Sequence, residues 1–105
     1  MANPWRGEVA LVIDGHEQVL KLTLGALAEL ESTLGEDTLV GLAGRFESQR
    51  FSSRDIIALL EAGLRGGGGE LPEGGLAQAE IAGGPMAAAR AAAELLARAF
   101  TLPET

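Results

Sequence analysis

From Gly7 to Thr23 the hydrophobic positions recur with period two: Val9, Leu11 and Ile13 form one file, and apolar character returns from Val19 to Leu22. Asp14-Gly15 sits between the two runs. An Asp-Gly pair accepts the positive φ angles of a tight primed turn, so 7–23 is predicted as a β-hairpin. Two strands alone are marginal in water, which requires a helix across one face.

After Thr23 the period lengthens to three and four. Leu24, Leu27, Leu30 and Leu34 predict a helix over 24–34, stopped at Gly35 by a left-handed cap. Asp37 or Thr38 is placed to cap a second helix over 38–48, with Leu39, Leu42, Ala43 and Phe46 on its inner face and Gly41 and Gly44 weakening it. Ser52-Ser53-Arg54-Asp55 has the three-residue spacing of a capping box and opens a third helix over 53–65. Ile56, Ile57, Leu60 and Leu64 form its apolar face, and Arg65 meets the negative end of its dipole. The glycine-rich stretch 66–75 reads as a loop, with a short helical turn over 76–81 after it.

Gly84-Pro85 then begins a long helix over 85–100, because proline at the first helical position loses only an unused donor. Alanine is the least costly residue to hold helical, and Met86 to Phe100 contains eight. Arg90, Glu94 and Arg98 share one face; Leu96 and Phe100, with Ala89 and Ala93, share another. The expected fold is α+β, an N-terminal β-hairpin followed by a bundle of four to five helices, in a single domain spanning 1–105.

Charge and composition narrow the function. Eight basic and fifteen acidic residues leave a net charge of −7 over 105 residues. A protein so acidic would work against the phosphate charge, so no nucleic-acid partner is expected. There is no cysteine, which removes disulfides, thiolate zinc sites and thiol nucleophiles and suits a reducing cytoplasm. No apolar run approaches the ~20 residues that span a bilayer, so no membrane partner is expected and the location is read as intracellular, in the cytoplasm.

Candidate chemistry is sparse. His16 is the only histidine and follows the hairpin turn, where nothing shields it or holds a nucleophile beside it. Glu36-Asp37 and Asp14 to Glu17 lack the spacing of a calcium loop. The glycines of Arg65 to Glu70 follow a helix instead of a strand and have no Lys-Ser or Lys-Thr after them, unlike a phosphate loop. Glu29 and Glu31, two apart, diverge on a helix. No catalytic residue, cofactor or metal site is expected, and the chain is not read as an enzyme. What remains is binding. Pro4-Trp5 places the only tryptophan just before the first strand, as an anchor for a partner or a lid on its own core. Ile57, Leu60, Leu64, Leu96 and Phe100 join Trp5 as candidate protein-binding residues if the small core leaves them uncovered.

Trp5-Arg6-Gly7-Glu8-Val9, Leu22-Thr23-Leu24-Gly25-Ala26-Leu27-Ala28-Glu29-Leu30-Glu31, Ser53-Arg54-Asp55-Ile56 and Ala62-Gly63-Leu64-Arg65-Gly66-Gly67-Gly68 together resemble a known family. It is the small tail protein of gene transfer agents, phage-derived particles of alphaproteobacteria, grouped with phage tail assembly chaperones. The likeness is specific over about the first 70 residues and weaker at Leu95 to Phe100. Such resemblance implies either a tail assembly chaperone that keeps the tape-measure protein soluble while tube subunits polymerise, or a structural component of the tail tube. A tube subunit is expected to carry several strands that join into a ring, whereas one hairpin is readable here. That count favours the chaperone, with the tape-measure protein and tail tube subunits as partners and self-association as a further expectation; the structural tube component is the alternative.

Overall fold

The structure, a computed structural model, is described for residues 7–34 and 39–99. It is α+β: an antiparallel hairpin of β1 (Glu8–Ile13) and β2 (His16–Lys21), then α1 (Leu24–Leu34), α2 (Leu39–Glu47), α3 (Ser53–Gly66), a 3₁₀ turn (Leu76–Gln78) and α4 (Gly84–Ala99). Asp14 and Gly15 both have positive φ, 52° and 80°, as a primed two-residue turn requires. The register pairs Glu8 with Lys21 at the open end and Ile13 with His16 at the turn.

Alternation decides which face of the hairpin is buried. Val9, Leu11 and Ile13 of β1 point inward with Leu20 and Leu22, while Ala10 and Val12 face outward. α3 packs along β2, against α1 and against α4, and α4 runs beside β1. Leu20, Leu59 and Leu95, each wholly inaccessible, meet where hairpin, α3 and α4 converge, and Leu30 joins them from α1. Burying each such side chain contributes about 2 kcal/mol.

The helix starts follow local chemistry. Thr23 caps α1, its hydroxyl accepting from the Ala26 amide at 3.1 Å. At α3 the capping box is complete: Asp55 N–H donates to the Ser52 hydroxyl, and Ser52 N–H donates to the Asp55 carboxylate at 2.9 Å. The other Asp55 oxygen accepts from Arg45 at 2.6 Å, tying the end of α2 to the start of α3.

Some inward faces differ from those that periodicity predicts. Leu24 is 84% exposed, because the Thr23 cap sets the start of α1 so that Ala26, Leu27 and Leu30 face the core instead. On α3, Leu59 is more deeply buried than Ile56 or Ile57. On α4, Ala88, Ala91, Ala92, Leu95 and Leu96 are buried and Ala93 is exposed, since the helix wedges between β1 and α3 and is covered on a broad arc. Gly35, the capping pair Asp37 and Thr38, Trp5 and Phe100 lie outside the described residues, as do the side chains of Leu34, Leu39, Leu42 and Ala43.

The glycine-rich stretch proves to be more than a loop. Gly66 is the last residue of α3, and a Cβ on it would fall inside the carbonyl oxygen of Lys21; one on Gly67 would overlap the carbonyl oxygen of Val19. Gly63, a turn earlier, faces Leu20 and Leu95, and a Cβ there would be 2.8 Å from Leu95 Cδ1. Residues 63, 66 and 67 share one helix face, and their missing side chains let α3 lie directly against β2.

Candidate functional site

The beginning of α3, the 3₁₀ turn and the beginning of α4 enclose an apolar groove of about 210 Å³. Ile56, Ile57 and Leu60 form its α3 wall, Leu76 and Ala77 its second, and Ile81, Pro85 and Ala88 the third. Two polar clamps shape it. The Leu76 amide donates to Glu61 Oε2 at 3.0 Å, holding the 3₁₀ turn on α3. Asp14, at the hairpin turn, donates its N–H to the Glu80 carbonyl and accepts the Glu80 N–H on its carboxylate, both at 2.8 Å. The Ala82 amide donates to the Val12 carbonyl at 3.1 Å, so Ile81 bridges to Ile13 as a stub of a third strand.

The two edges of the hairpin are finished differently. On β2, Val19 and Lys21 turn their carbonyls toward Gly66 and Gly67, which occupy the space of a neighbouring strand. On β1, residues 80–82 cover the turn end, and Arg98 donates to the Glu8 carbonyl at the other end. Between these anchors Ala10 directs its backbone N–H and C=O to the outer edge, by the same two-residue period that brings Val12 and Asp14 there. The outward face of the hairpin carries Ala10, Val12 and half-buried Val19, bordered by Glu8, Glu17 and Lys21.

Of the candidate binding residues, Ile57 is half-buried on the groove wall and Leu60, 2% exposed, forms its floor. Leu64 and Leu96, 1% and 3% exposed, are spent in the core and offer a partner nothing, because α3 and α4 are each covered from two sides. The sequence pattern did not mark Leu76, Ile81 or Pro85 as binding residues, and the wall that Leu76 and Ile81 form is held by the clamps at Glu61 and Asp14. The glycines before Leu76 signal a chain reversal, but not what it packs against.

His16 is exposed at the hairpin turn, its Nδ1 donating to the Asp14 carbonyl at 3.0 Å. Arg65 pairs with Glu29, and Arg98 pairs with Glu94 at 3.1 Å, both within reach of solvent. Among the described residues, no group of three or more His, Asp or Glu side chains is placed to hold a metal ion, and no helix is long and apolar enough to cross a membrane.

Among the described residues, the shaped features of the surface are thus a groove and, between the anchors on β1, a strand edge at Ala10. Residues 6–101 match the family described as phage tail tube protein, GTA-gp10, and the chain belongs to that family. No curated protein and no solved structure matches it.

The family corrects one expectation. The chain was read as a tail assembly chaperone because one hairpin is too few strands for a tube subunit; the match is to tail tube proteins, and the tape-measure partner expected of a chaperone goes with that reading. The strand count was a poor criterion. A two-stranded sheet still has edges, and strands of neighbouring copies can complete a sheet that no single chain contains.

Proposed function

We propose that this protein is a structural subunit of the tail tube of a phage-like gene transfer agent, made in the bacterial cytoplasm and working by binding alone. Family membership over residues 6–101 carries this reading. The chain acts as a single unit that is repeated, and its partners are copies of itself and adjoining tail subunits. The outer edge of β1 at Ala10 and the groove beside α3 supply surfaces for such contacts. A net charge of −7 keeps unassembled copies apart in solution, so assembly depends on local fit rather than on general stickiness.

Purified particles test the reading. Quantitative mass spectrometry of intact tails is expected to find the chain in a fixed, ring-like ratio to the other tail proteins. Its absence from finished tails, with abundance only in lysates where tails are assembling, would overturn the proposal.

A further inference from the structure

We infer that the groove takes the Pro4-Trp5 segment of a second copy of this chain, joining copies head to tail. The inference rests on the tube-subunit reading and specifies the contact between copies.

Position carries the argument. Gly7, where the described chain begins, lies against the Arg98 carbonyl near the end of α4, and Arg98 also holds the Glu8 carbonyl. The groove is at the opposite end of α4, at Pro85 and Ala88. Ala88 and Pro85 are ten and thirteen positions from Arg98, or about 15 and 20 Å of helix. The hairpin gives a second ruler: from Glu8 to Ile13, whose neighbour Ile81 lines the groove, is about 17 Å of strand. Trp5 is two residues before Gly7, so its Cα stays within about 7 Å of that glycine. An indole placed there at most approaches the near rim at Ala88 and does not reach Pro85 or Ile81, so the groove that Trp5 fills belongs to another copy.

Chemistry suits the match. Trp5 is the only tryptophan, and the groove is an apolar recess of about 210 Å³, a volume suited to one large aromatic side chain. Arg6 follows Trp5, and exposed Glu80 adjoins Ile81 at the groove. In a chain of net charge −7, a cation beside the anchor meeting an acidic rim offsets part of the repulsion between copies. An arm at one end and a groove at the other make a heterologous contact, which closes into rings or extends into filaments.

Trp5 is its own reporter, since no other tryptophan contributes to the emission. In a dilution series of the full chain, emission is expected to move to shorter wavelength in step with the sedimentation coefficient as copies associate. Trp5→Ala, and Ala77→Glu at an exposed position on the groove wall, are each expected to weaken self-association at least about tenfold while far-ultraviolet circular dichroism is unchanged. Mixed together, the two variants are expected to form one-to-one complexes and nothing larger, because one keeps the groove and the other keeps the arm.

Blue-shifted emission at every dilution, including from the monomer, would overturn the inference in favour of Trp5 covering its own chain. So would a parent that stays monomeric throughout, a Trp5→Ala variant that associates as tightly as the parent, or a mixture that forms no complex. If tails purified from cells carrying Trp5→Ala retain the chain in its usual ratio, the arm contact fails and the tube reading stands; absence of the unaltered chain from tails removes the tube reading itself.

Discussion

The two ends of α3 are packed by opposite rules. At its last turn Gly63, Gly66 and Gly67 bring helix backbone against β2 with no room for a methyl group. At its first turns Ile56, Ile57 and Leu60 face a recess of about 210 Å³ that the described residues leave unfilled. Interiors are close-packed, so a recess of this size beside such tight packing reflects where neighbouring elements are held, not a general looseness of the core. The glycine end fixes α3 on the hairpin, and the clamps at Asp14 and Glu61 fix the far wall of the recess in place. Rigidity at one end thus preserves volume at the other.

The largest expected effect follows at the tight end. Gly67→Ala puts a methyl group into the Val19 carbonyl, and backbone cannot turn aside as a side chain would. A loss of more than about 3 kcal/mol is expected, read as a fall of more than about 12 °C in the thermal midpoint. A midpoint within about 2 °C of the parent would show that α3 and β2 are not in contact there.

Next in size is the loose end's anchor. Asp55 is 5% exposed, completes the capping box and pairs with Arg45. Asp55→Ala removes the cap, worth about 1 kcal/mol, and breaks the partly buried ion pair with Arg45. About 3 kcal/mol of destabilisation in urea unfolding is expected, with Asp55→Asn losing less because an amide still accepts from Ser52. Equal losses for the two variants would mean that charge alone matters at this position.

Ile57→Ala probes the groove itself. Its side chain is half-buried on the recess, so truncation is expected to cost about 1 kcal/mol, well below the 2–5 kcal/mol typical of a fully buried position such as Leu59. A cost comparable to that of Leu59→Ala would show that the recess is filled in solution by the chain's own atoms.

The parts of this fold governed by local chemistry could be read directly from sequence. The Asp14-Gly15 turn, the Ser52-Asp55 capping box and the Gly84-Pro85 helix start each depend on neighbours within four residues, and each stands where the pattern placed it. The groove was not legible, because its walls come from residues 53–60, 76–81 and 85–88, brought together by a hydrogen bond from Glu80 to Asp14 across 66 positions. Leu24 was misplaced for a related reason: spacing predicts a face but not where a cap begins it. The i, i+3, i+4 spacing of Gly63, Gly66 and Gly67 was visible throughout, yet glycine after a helical run reads first as a stop signal. The resemblance brought out the family correctly, while counting strands within one chain misjudged its role.

The smallest effect has the opposite sign and sharpens the meaning of the glycines. Gly44 lies within α2, exposed, and a Cβ there would meet nothing within 4 Å. The chain contains 15 glycines, so some have no contact to serve and only add entropy to the unfolded state. Gly44→Ala is therefore expected to stabilise the protein by about 0.5–1 kcal/mol in urea unfolding. The same change of one hydrogen for one methyl group would then raise stability in α2 and lower it at the end of α3. If Gly44→Ala instead destabilises, α2 has a neighbour at that surface, and a second copy of the chain is the first candidate to examine by sedimentation.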